Sequence, residues 1–98
     1  MWRHGDVLLG EAETIPKNAK RRQSAVLAWG EFTGHSHRFA DPLTVEVWEL
    51  GAQLFVRVVA DEATLIHEEH KPITLPRGTY RVWGQREYSP QAIRRVVD

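Results

Sequence analysis

Four of the five histidines stand in two tight couples, His35-Ser36-His37 and His67-Glu68-Glu69-His70. Residues i and i+2 of an extended strand point to the same side, so His35 and His37 can present two imidazoles to one point. His67 and His70 are three apart and meet in a turn or a helical fragment. Lys71-Pro72 directly after them puts that couple at a strand end. Neutral imidazole is the commonest protein ligand for transition metals near neutral pH. Two such couples converging on one point would hold a divalent ion (Zn, Ni, Fe, Mn or Cu) with a coordination position left open. Either Glu68 or Glu69 would then take a proton from metal-bound water, and the other would orient an imidazole. Glu31, four residues before His35, shares its strand side and is a further carboxylate candidate. Arg86, together with Arg38, has the chemistry to clamp an anionic substrate such as a phosphate ester. The second couple is not the HExxH zinc-protease signature, which needs its histidines four apart on a helix. Ser36 points away from both flanking rings and is no nucleophile. His4, close to Asp6, reads as a structural hydrogen-bonding residue.

The elements that must position these groups have a period of two. Asp6-Val7-Leu8-Leu9 is a short apolar strand ended by Gly10. Residues 15–22 hold Pro16, Asn18 and a basic cluster, and read as an exposed loop. Residues 24–32 read as a buried strand ending at Gly34. Thr44 to Glu49 alternates cleanly, and Leu50-Gly51-Ala52-Gln53 turns it into a partner strand from Leu54 to Val59. Short strands follow at 63–66, 73–75 and 79–85, with Pro76-Arg77-Gly78 turning the chain between the last two. Residues 92–97 fit either a final strand or one helical turn. Trp29, Trp48 and Trp83 read as core aromatics. Many short strands spaced by Gly and Pro predict an all-β fold, a small antiparallel barrel or sandwich, in one domain spanning residues 1–98.

Composition narrows the class. The chain has 98 residues, no cysteine, and 13 basic against 13 acidic residues, which excludes a disulfide framework, a thiolate site and a uniformly basic nucleic-acid coat. The charges are segregated. Residues 1–30 carry five bases against three acids, residues 41–69 one against seven, and residues 77–98 five against two. Opposite charges paired across neighbouring strands explain such a pattern, and so does an acidic mouth beside a basic rim. No apolar run approaches a membrane span, and residues 1–6 lack the core of a signal peptide, so a cytoplasmic protein with no membrane partner is expected.

The strings Gly30-Glu31-Phe32-Thr33-Gly34-His35-Ser36-His37, His67-Glu68-Glu69-His70 and Gln85-Arg86-Glu87-Tyr88 resemble a family of short bacterial and phage-encoded proteins that is uncharacterised and so implies no activity. More loosely, a Gly-led HxH followed by a strand pair and a Pro-x-Gly turn is similar to the metal-binding cupin barrel. That resemblance implies ligand roles for His35 and His37 alone. Asp41 stands where cupins carry a glutamate ligand, and no histidine follows Pro76-Arg77-Gly78. The expected function is a metal-binding β-domain, with hydrolysis of a phosphate ester or nucleic acid as its reaction. The alternatives are a nucleic-acid or protein binding module built on the basic segments, and a homo-oligomer with structural histidines or with metal shared at a symmetry axis.

Overall fold

The computed structural model describes residues 1–29 and 35–84. Glu31, Arg86, the 85–88 string and the 92–97 segment lie outside the described residues. Eight antiparallel strands form one sheet among the described residues, with no α-helix. They are β1 (Trp2–His4), β2 (Val7–Glu11), β3 (Lys20–Arg22), β4 (Val26–Trp29), β5 (Ser36–Phe39), β6 (Val45–Leu50), β7 (Gln53–Ile66) and β8 (Ile73–Gly84). A 3-10 turn, Pro42–Thr44, joins β5 to β6 and is capped by the Asp41 carboxylate, which accepts from the Leu43 N–H.

The architecture follows from the length of β7 and β8. The sequence suggests four short strands over 54–85, but these merge into two strands of 14 and 12 residues. Pro76-Arg77-Gly78 is a bend inside β8, not a reversal. Here β7 advances from Val58 to Glu62 while β8 moves only from Gly78 to Pro76, so the ladder is bulged. A proline has no N–H to give a ladder and is tolerated at such a break. The bend is fastened from three sides. Arg77 Nε donates to the Ala60 carbonyl at 3.1 Å and its Nη2 reaches Asp61 Oδ1 at 2.9 Å. The hydroxyl of buried Tyr80 donates to the Pro76 carbonyl at 2.6 Å.

On one side of the bend β7 pairs with β6, and on the other with β5, along the same edge. β8 carries β2 and then β1 on its far edge, giving the path β1-β2-β8-β7-β5-β4 with β3 added to β6. The sheet therefore folds over on itself but stays open, like a small sandwich and not a closed barrel. Its core draws on both halves: Val7, Leu9, Phe39, Val45, Val47, Val56, Val58, Leu65, Leu75 and Tyr80. The β6–β7 hairpin has the expected two-residue loop, and Gly51 at φ +59° supplies the left-handed position such loops require.

Two further expectations are corrected. Residues 20–22 are not loop but edge strand, with Lys20 opposite Glu49. Arg21 reaches Glu46 at 3.6 Å and Arg22 reaches Glu49 at 3.9 Å, so this basic cluster is matched by part of the acidic middle. Trp48 and Trp83 are half-buried on the sheet's outer surface, where Arg21 and Arg81 lie over their rings at 5.9 and 5.1 Å. An arginine over an indole face keeps its charge hydrated while covering apolar surface.

The Tyr80 hydroxyl is the group to test at the bend. Tyr80→Phe leaves the Pro76 carbonyl without its donor and should cost about 1–2 kcal/mol. Urea unfolding should show a lower midpoint with an unchanged slope; an unchanged midpoint would show that the bend does not need this bond.

Candidate metal centre

Three separate segments bring every histidine of the chain into one cluster. The first is the β1–β2 hairpin. His4 pairs with Val7 across the two-residue loop Gly5-Asp6, and Gly5 at φ +62° makes that tight reversal possible. The second is β5, which places His37 beside the end of β7 through the Arg38–Ile66 pairing. The third is the 67–72 connection between β7 and β8, which carries His67 and His70. Ring centroids lie 4.4 Å apart for His37–His67, 4.5 Å for His67–His70 and 5.6 Å for His37–His70. His4 adds 4.9 Å to His37 and 5.9 Å to His70, and His35 adds 5.7 Å to His67.

His37, His67 and His70 each offer a ring nitrogen, and these three atoms lie within 4.8 Å of one another. His37 is buried, His67 half-buried and His70 exposed, so the cluster runs from the core to solvent. Gly5 also makes room for it, since a Cβ there would come within 2.5 Å of His70 Nε2.

The partners of each ring fix where protons can sit. His37 Nε2 is 3.2 Å from Asp6 Oδ1, and a carboxylate only accepts, so Nε2 carries the hydrogen and Nδ1 has the lone pair. That lone pair faces His4 Nδ1 at 2.9 Å, which makes His4 Nδ1 the donor. His4 Nε2 is then an unprotonated, buried acceptor, with no hydrogen-bond partner among the described residues. His67 Nδ1 accepts from the Glu69 backbone N–H at 3.0 Å, a bond that coordination through either ring nitrogen would give up.

Crowding disfavours charge here. His4 is 1% exposed, and burial, followed by the neighbouring imidazoles His37, His70 and His67, lowers its pKa to about 4. The Lys71 backbone pulls the other way without satisfying Nε2. Burial also lowers His37, with His67 adding to the effect and Asp6 opposing it. Neutral rings are the form that binds a metal, and an aspartate on the far nitrogen of a ligating histidine is a recurrent device for fixing its orientation.

The remaining sequence candidates fall around this centre. His35 precedes β5, is not among the three convergent donors, and pairs through Nδ1 with Glu69 Oε1 at 3.1 Å. Glu68 has a different task from a base. It accepts from Arg38 Nη1 at 2.6 Å and from the Ser36 N–H at 3.2 Å, tying the 67–72 connection to β5. Partial burial works to raise its pKa, but Arg38, the Ser36 N–H and its own backbone N–H outweigh this and hold it at about 2. A carboxylate held so low is a weak proton acceptor near neutral pH. Arg38 is likewise committed to Glu68. His4, read from sequence as merely structural, is the residue that spacing missed: it lies inside the cluster, bonded to His37 and not to Asp6. Its position after an alternating Trp2-Arg3-His4 and before a Gly-Asp turn is the one local sign of a hairpin there.

The model of a domain of unknown function, DUF8820, matches residues 3–85. The chain belongs to that family. No curated protein and no solved structure matches it. The DUF8820 match covers all the residues that build the cluster and brings no activity with it.

Two outcomes are expected of the metal-free protein. His4 has a folded pKa below its ordinary 6.5, so its contribution to stability is complete above pH 6.5 and is lost as pH falls toward about 4. Glu68 loses its contribution lower, between pH 4.5 and about 2. Urea midpoints measured across pH 7 to 3 should fall in both windows, and Glu68→Gln should flatten only the lower one; a midpoint level from 6.5 to 4 would contradict the burial of neutral His4. Separately, Gly5→Ala should destabilise by about 1–2 kcal/mol from the left-handed backbone alone. It should also shift the His70 ring resonances, since the new methyl displaces that ring.

Proposed function

We propose that this DUF8820 domain binds a divalent transition metal, with His37, His67 and His70 as ligands. The observation that carries the reading is the convergence of their three donor atoms within 4.8 Å, supplied by two distant segments of one open sheet. Asp6 supports it by leaving His37 Nδ1 free of its proton. All-imidazole donors suit Zn, Cu, Ni and Fe better than Mn, which favours oxygen. The donors come from a single chain, so this reading needs no symmetry axis to assemble them.

A hydrolytic role for the ion is a second reading, favoured by the exposure of His70 on the solvent side of the cluster. Three protein ligands leave a position for water, whose pKa the ion lowers toward neutrality. Glu68 is committed to Arg38; among the described residues Glu69, whose Oε1 pairs with His35 Nδ1 at 3.1 Å, is the candidate to accept the proton.

Untagged protein stripped with chelator and titrated with Zn²⁺ should take up one equivalent, and the Glu69 amide resonance should move as its bond to His67 is released. His37→Ala and His67→Ala should each cut affinity by more than the 10–100-fold typical of losing a supporting residue. Wild-type protein that binds no more tightly than a His37→Ala/His67→Ala/His70→Ala variant would end the metal reading. Hydrolysis of bis(4-nitrophenyl) phosphate that is restored by metal and lost in Glu69→Gln would support the second reading. Activity equal to free metal would end it.

A further inference from the structure

We infer that His4 is a fourth ligand of the same ion, through Nδ1, so that the centre is a closed four-imidazole site. This rests on the metal-binding reading above and goes beyond it by filling the position that a hydrolytic centre must leave open.

The argument starts from the 2.9 Å between His4 Nδ1 and His37 Nδ1. With Asp6 accepting the His37 Nε2 proton, a single hydrogen sits between the two Nδ1 atoms, and it belongs to His4. A cation that binds His37 Nδ1 must take the lone pair which that hydrogen now occupies. The His4 proton then moves to its other nitrogen, Nε2, and no proton is gained or lost overall. Once it has moved, two lone pairs face each other at 2.9 Å and repel unless one cation accepts both. Zn–N bonds of about 2.0–2.1 Å in a tetrahedron put neighbouring nitrogens roughly 3.3–3.4 Å apart. The two rings therefore need to part by only about half an ångström.

His4 stands beside the three convergent donors without being one of them, so joining the ion requires its ring to move toward them. Its backbone is held in register opposite Val7, its side chain is 1% exposed, and its ring is against His37, His67 and His70. Nε2 is buried without a hydrogen-bond partner among the described residues, so the polar contact that orients the ring is the one Nδ1 makes with His37.

X-ray absorption of the Zn²⁺-loaded wild-type protein, with the visible spectrum of the Co²⁺-loaded form, tests this directly. Four imidazole nitrogens and an intense tetrahedral Co²⁺ spectrum are expected. His4→Phe, which keeps an apolar ring in the core, should show three imidazoles plus oxygen and bind Zn²⁺ at least about 100-fold more weakly, beyond the loss seen on removing a supporting residue such as Asp6. Three imidazoles plus oxygen in the wild type would overturn the inference while leaving metal binding intact, and would leave the position for water open. No uptake by the wild type would instead remove the metal reading on which it rests. If His4→Phe does not fold, the wild-type nitrogen count still decides.

Discussion

Imidazoles packed at centroid spacings of 4.4–6.3 Å, two of them buried, disfavour charge on the buried pair His4 and His37. Each neutral ring has one N–H and one lone pair, so the cluster must find an acceptor for every hydrogen and a donor for every lone pair. Asp6 and Glu69 accept at the rim, His37 accepts from His4, and the Glu69 amide donates to His67. The scheme runs short at His4 Nε2, deep in the structure. A divalent cation would not relieve that atom; it would act where the Nδ1 atoms of His4 and His37 meet. It is a single positive centre that several lone pairs can share, where a proton serves only two.

The rest of the sheet is arranged so that this crowding can exist. The bend at Val58–Glu62 lets β7 hold β6 with one half and β5 with the other, which brings His37 alongside the end of β7 where His67 begins. The Arg38–Glu68 pair then ties the 67–72 connection back to β5. Two histidine-bearing segments are thus held by a strand ladder and one charge-assisted contact, not by a long flexible loop.

Much of this was legible in the residues. Alternation in Val45 to Glu49 and the Gly51 turn mark the β6–β7 hairpin, and the two histidine couples supply four of the five clustered rings. What failed did so for identifiable reasons. Pro76 and Gly78 are turn residues by type, yet here they serve a bulge, because β7 supplies the extra residues opposite them. Lys20-Arg21-Arg22 has loop composition, but Glu46 and Glu49 on the neighbouring strand neutralise it. Spacing within His35-Ser36-His37 could not show that one ring would be buried and the other held at the rim by Glu69. Above all, His4 was invisible as a cluster member, since its neighbours in space are more than thirty residues away.

That separation also orders events during folding. His4 and His37 are 33 residues apart in sequence, and Asp6 and His37 are 31 apart, so their meeting closes long stretches of chain. Contacts between distant residues form late, after the entropy of those closures has been offset by the surrounding ladder. The β2–β8 ladder closes longer stretches still, with Val7 opposite Gly84, so the histidine corner and that ladder belong to the same late class of contact. An ion captured at that corner would fasten together segments that a local hairpin such as β6–β7 does not join.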